Sequence, residues 1–161
     1  MSLHYIIDGY NIINHPQFTR THKSSQDSRS ALLSLIRRKR LTGSLKNKVT
    51  VVFDGYPDLS AAPFDESGIR VIFSRRVSAD EKIKMLVEET ANRKNIIAVS
   101  DDKEIKFMVK SLRARVSGVD EFFSVKEKAK NGRKEEMMEA GLNYTQMQKI
   151  NEELSRLWSK E

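Results

Sequence analysis

Asp8, Asp54, Asp80 and Asp101 are the side chains of this 161-residue chain whose type and spacing could do chemistry together. Asp8 and Asp54 each close a short apolar, β-branched-rich run and are followed by glycine; Asp101 follows another such run, and Asp80 opens a helical pattern. In an open parallel sheet those positions share the carboxyl edge, where ligands bind because loops and helix N-termini converge there. Taken singly, each aspartate has a plain explanation as a turn or helix-cap residue. Taken jointly, three or four carboxylates on one rim repel one another and destabilise the fold unless a cation compensates them. With zero cysteines there is no soft ligand, so the expected cation is a hard one, Mg²⁺ or Mn²⁺. Held by carboxylates, such an ion activates water for attack on a phosphodiester and neutralises charge on the leaving oxygen. Asn11, one helical turn beyond Asp8, and Ser100, directly before Asp101, either orient a water or phosphate or act as caps.

The elements that must position these residues follow from hydrophobic period. Leu3 to Asp8 and Val49 to Asp54 read as buried strands. Between them, Asp27 to Leu41 sets Ala31, Leu32, Leu35 and Ile36 at helical spacing, with Arg and Lys in the final turns where the helix dipole favours cations. Ile69 to Phe73 supplies a third strand, Asp80 to Arg93 a helix with Ile83, Leu86 and Val87 on one face, and Asn95 to Val99 a fourth strand. A helix from Asp102 to Leu112 and a short strand at Ala114 to Val116 lead through Ser117-Gly118 into a helix from Asp120 to Ala129. This alternation predicts one α/β domain over residues 1–130 with a parallel sheet. Lys130 to Gly132 breaks the pattern, leaving 131–161 as a connector and a C-terminal amphipathic helix. Asn143 is its expected cap, Leu142 and Met147 its staple, and the stripe of Met147, Ile150, Leu154, Leu157 and Trp158 is expected to bury against the domain.

Composition narrows the partners. A formal charge of +7 favours a polyanion, because Lys and Arg gain affinity by displacing counterions from phosphates. Arg37, Arg38 and Arg40, the pair Arg75 and Arg76, and the Lys126 to Lys134 segment are candidate contacts to a nucleic acid such as RNA or to an anionic surface, with a solvated face as the bland reading of each. No apolar run reaches membrane-spanning length, and the start enters a strand without a basic leader or cleavage site, so the expected location is the cytoplasm. His4, His15 and His22 lack the pairing of a zinc helix and read as structural or solvent-facing. Neither a Walker loop nor a dinucleotide fingerprint is present, so ATP and NAD are not expected. The loops from Asn14 to Gln26 and Tyr56 to Glu66 flank the acidic rim, and Tyr10, Phe18 or Tyr56 could stack on a base or pack locally.

Read in order, Ile6-Ile7-Asp8-Gly9-Tyr10-Asn11, Val51-Val52-Phe53-Asp54-Gly55, Ser78-Ala79-Asp80-Glu81-Lys82-Ile83 and Val99-Ser100-Asp101-Asp102 resemble the successive motifs of NYN-domain proteins, particularly the YacP-like branch, within the PIN-like nuclease group. The resemblance runs from Leu3 to Ala129. It implies a three-layer α/β/α fold with a parallel sheet of order 3-2-1-4-5, metal-dependent endoribonuclease activity, and substrates among RNAs being processed or engaged with ribosomes. It also implies Asp8, Asp80 and Asp101 as metal ligands, with Asp54 and Asn11 in support. Asp102 competes with Asp101 for the metal, and the Ser-Asp pairing of the motif favours Asp101. The rival from another class is a catalytically silent RNA- or ribosome-binding module, against which stand acids that repel phosphate. A phosphoacceptor receiver domain expects paired acids after the first strand and a lysine after the fifth, where Asp8-Gly9 and Ser117-Gly118 stand instead. A haloacid-dehalogenase-like phosphatase expects an aspartate where Tyr10 stands.

Overall fold

The computed structural model describes residues 2–22, 27–57, 68–124 and 144–159. The chain divides into two compact units, Met1–Phe123 and Ser124–Glu161. Expectations for the Lys126 to Lys134 run, the break at Lys130 to Gly132, the far end of the helix placed at Asp120 to Ala129, and the Leu142 and Asn143 terminal signals lie outside the described residues.

The first unit alternates strand and helix: β1 (His4–Asp8), α1 (Gly9–Ile13), α2 (Pro16–Thr21), α3 (Ser28–Arg38), β2 (Lys48–Phe53), β3 (Ile69–Phe73), α4 (Ala79–Glu89), β4 (Ile96–Val99), α5 (Lys103–Ser111) and β5 (Arg115–Ser117). Residues 119–124 are helical and are labelled α6. The strands form one sheet in the order β3-β2-β1-β4-β5, every pair parallel. This is the sheet that the resemblance implied.

Successive residues of a strand face opposite ways, so a run buried on both faces divides its side chains between two cores. Ile7, Val51, Phe53 and Val99 join Ile12 of α1, Phe18 of α2, Leu32 and Ile36 of α3 and Phe122 of α6. Ile6, Val52 and Ala98 join Ile83 and Val87 of α4 with Ile105 and Val109 of α5. The result is three layers, in which each fully buried aliphatic or aromatic side chain contributes about 1.5–3 kcal/mol.

Between β1 and α3 the structure departs from expectation. The stretch read as a loop contains α2, which Pro16 starts and whose N-cap His15 accepts the Gln17 backbone N–H through Nδ1. Proline is preset for a first helical position, and one apolar anchor, Phe18, suffices to bury so short a helix. That is too little periodicity to register as a pattern. Phe18, 2% exposed, is therefore a core residue and not a stacking platform.

Two helix ends share one geometry. After α3, Leu41 N–H donates to Ile36 C=O and Arg40 N–H to Arg37 C=O; after α5, Ala114 N–H donates to Val109 C=O and Arg113 N–H to Lys110 C=O. Both are Schellman caps, which place one residue in the left-handed region. Here that residue is arginine each time, with φ 48° at Arg40 and 66° at Arg113. For a residue with a Cβ this costs about 1 kcal/mol relative to glycine.

Register levels the strand ends: Asp8 pairs with Val52, Ile7 with Val99 and Phe53 with Phe73. One close approach holds that edge together. A Cβ on Gly9 would penetrate the ring of Phe53, which is fully buried and packs edge-on to Tyr10. Gly9→Ala is expected to cost about 2 kcal/mol through overpacking, read as a lower urea midpoint; an unchanged midpoint would mean that the ring has room to move.

In the second unit, α7 (Tyr144–Ser159) is amphipathic. Ile150, Leu154 and Trp158 are partly buried, whereas Leu157 is exposed. No helix among the described residues is long and apolar enough to cross a membrane.

Candidate active site

An open cleft of about 590 Å³ lies at the carboxyl edge, lined in part by Asp8, Asn11, His15, Asp54, Asp80 and Asp101. β1 delivers Asp8 as its last residue, and the side chain is 8% exposed. The Ser100 hydroxyl donates to Asp8 Oδ2 at 3.3 Å and accepts the Asp102 backbone N–H at 3.1 Å, so the buried Ser100 ties β1 to the turn after β4. Burial pushes the Asp8 carboxyl up to about 6. The nearby Asp80 and Asp102 charges add to the rise, against hydrogen bonds from the Asn11 backbone and Ser100 that pull it back.

Asp80 sits in the first turn of α4, whose N-cap is Ser78 and not Asp80. Its carboxyl is raised by burial, then by Asp102, Glu104 and Asp54. The tightest grouping among the described residues is Asp80, Asp102 and Glu104, whose carboxylate oxygens lie within 4.8 Å of one another. Asp102 also caps α5, accepting the backbone N–H groups of Glu104 at 2.8 Å and Ile105 at 3.3 Å through Oδ1.

Asp101 is held differently. Its Oδ1 accepts the Val119 N–H at 2.9 Å and lies 3.8 Å from Lys106 Nζ. Its backbone N–H donates to Asn11 Oδ1 at 2.9 Å. Its Oδ2 is 3.6 Å from His15 Nε2, which is also 3.5 Å from Asp120. Because His15 Nδ1 accepts from Gln17 N–H, the neutral ring carries its proton on Nε2, facing both acids. Asp54, exposed at the rim, accepts from Ser74 Oγ at 3.0 Å.

The structure thus brings Asp8, Asp54, Asp80 and Asp101 to one cleft and sets Asp102 and Glu104 beside Asp80, while Asp101 also has partners of its own. Two residues were not read as candidates from sequence. Glu104 could have been found from its place two residues after Asp102 in the first turn of a helix; His15 carries no spacing signal. Of the basic candidates, Arg75 and Arg76 follow β3 on the cleft edge, with Arg75 N–H donating to Gly55 C=O at 2.8 Å. Arg37, Arg38 and Arg40 end α3 at the opposite edge, where β2 begins. Tyr56 is 62% exposed, and Tyr10 is partly buried against Phe53.

A parallel sheet of this order with acids gathered on its carboxyl edge is the arrangement that the resemblance to NYN-domain proteins implied. The chain belongs to the YacP-like NYN domain family, whose model matches residues 5–160. A crystal structure of Rae1 (YacP) from Bacillus subtilis is similar with a TM-score of 0.59 at 20% identity, covering 99% of this chain and 94% of that one. A mutant of that protein gives a TM-score of 0.59 at 21% identity, covering 93% and 90%. At such identity the likeness is one of fold. No curated protein matches the chain.

Proposed function

We propose that the cleft hydrolyses RNA phosphodiester bonds as a Mg²⁺- or Mn²⁺-dependent endoribonuclease acting in RNA processing or decay, ribosome-engaged RNA included. The observation that carries this reading is the convergence of Asp80, Asp102 and Glu104 oxygens within 4.8 Å, beside a buried Asp8 that burial, Asp80 and Asp102 push up to about 6. Such spacing fits a hard cation with oxygen ligands at about 2.1 Å. A bound ion of this kind supplies an activated water and neutralises charge at the scissile phosphate.

The chain's own residues do the rest. Asp80, Asp102 and Glu104 are the ligand set, with Asp8 behind them. Asp101, pinned to Val119 N–H and flanked by Lys106 and His15, positions the β4 and β5 turns against each other. Asn11 has its Oδ1 occupied by Asp101 N–H, so its contribution to a phosphate is the amide NH₂. Arg75 and Arg76 hold phosphates entering from the β3 side, and Tyr56 offers a face for a base.

Single-stranded RNA incubated with the protein is expected to be cut internally with Mg²⁺ or Mn²⁺ and to stay intact with EDTA. RNA retained but uncut under every divalent ion would favour the silent binding module.

A further inference from the structure

Charge is segregated across the sheet. The carboxyl edge carries Asp8, Asp54, Asp80, Asp101, Asp102 and Glu104, with Arg75, Arg76 and Lys106 as the cations among them. At the amino edge, where strands begin and α3 and α5 end, stand Arg37, Arg38 and Arg40 with Lys48 and Arg70 on one side, and Lys110, Arg113 and Arg115 on the other. Neither stretch, 37–48 nor 107–117, contains an acid; Glu88 and Glu89 occupy the end of α4. The field is felt by His4 in β1, whose pKa is lowered by burial and then by Lys48 and Arg70.

The helix dipole accounts for cations at the ends of α3 and α5. It does not account for Lys48, Arg70 and Arg115, which stand in the first or second position of strands, Arg115 Nε also donating to Lys94 C=O at 3.2 Å. Least of all does it account for Arg40 and Arg113, held at positive φ in two caps where glycine would sit without strain. Arg75 on the cleft edge is held at positive φ as well, so what sets the amino edge apart is the gathering of cations there with few acids among them.

We propose that the amino edge is a second RNA-binding surface, separate from the cleft, which grips the phosphate backbone of helical RNA while the acidic edge faces a different strand. The choice of RNA over another polyanion rests on the reading of the cleft given above. A helical partner fits because the charges are mounted on a rigid frame. Five strands at about 4.8 Å spacing span about 19 Å, and fixed charges are best met by the fixed phosphates of an A-form helix.

The test is binding of an RNA duplex of about 16 base pairs to the full chain in EDTA, followed by fluorescence anisotropy across a salt series. The double variant Arg40→Gly with Arg113→Gly is expected to fold as the parent does, because glycine suits both caps, and yet to bind about fivefold to tenfold more weakly. A second variant, Arg37→Gln with Lys48→Gln and Arg70→Gln, is expected to lose more than tenfold in affinity. Its slope of log affinity against log salt is expected to flatten by about 0.9 for each phosphate contact given up. Unchanged affinity and slope in both variants would overturn the proposal, as would tight binding to phosphatidylserine vesicles with none to the duplex. Duplex binding that persists in a protein unable to cut RNA would sink the catalytic reading and leave this one standing.

Discussion

Asp80→Asn is expected to lower the rate of metal-dependent RNA cleavage about a hundredfold to a thousandfold, the usual cost of removing one preorganised electrostatic group from a reacting centre. Asp80 is the most informative position because it belongs to the tight carboxylate group while Ser78 caps its helix. The amide keeps the shape and removes one negative charge, so the fold should be unharmed. Asp102→Asn is a less clean experiment, because that side chain also accepts two backbone N–H groups at the start of α5. Single-turnover cleavage at saturating Mn²⁺, with circular dichroism of both proteins, reads the effect. A variant as fast as the parent protein would remove Asp80 from the chemistry and with it the ligand set.

The second large effect is on stability. Asp8 titrates near 6 in the fold against about 3.9 for an unfolded aspartate. The folded state therefore holds this proton more tightly than the unfolded chain does. On this account stability is greatest below about pH 4, falls as pH rises toward 6, and stays lower by up to about 3 kcal/mol above that without metal. Asp8→Asn abolishes the titration, and the amide oxygen can still accept from Ser100. Without divalent ions the variant should melt several degrees higher than the parent protein at pH 8 and at nearly the same temperature at pH 4. Mg²⁺ or Mn²⁺ should narrow the gap at pH 8 by stabilising the parent protein. A variant less stable than the parent at pH 8 would mean that the Asp8 charge helps to hold the β1 end together.

The frame was readable from sequence because its signals are strong and local. Runs such as Ile6-Ile7 and Val51-Val52-Phe53 are buried on both faces, and α3, α4 and α5 each carry a clear apolar stripe. Strand order was not in the periodicity; it came with the resemblance of the ordered motifs. Carboxyl-edge placement of the aspartates followed from parallel topology. That Asp102 and Glu104 group with Asp80 did not, since that depends on rotamers. Asp101 points to Val119, a residue 18 positions away, and no local pattern announces that. His15 was dismissed for want of a helical partner, yet its role as the cap of α2 is what turns Nε2 toward Asp101 and Asp120.

Oppositely charged ends make the first unit behave like a compass needle near a polyanion. An approaching nucleic acid exerts a torque as well as a pull, and the torque turns the basic end forward before any contact is made. At about 0.1 M salt this guidance reaches only about 10 Å, so it acts during the last steps of approach. If the two proposals above hold, the encounter has an order in time, with anchoring first and presentation of a cleavable strand afterwards. Raising ionic strength should blunt the anchoring step well before it touches the chemistry.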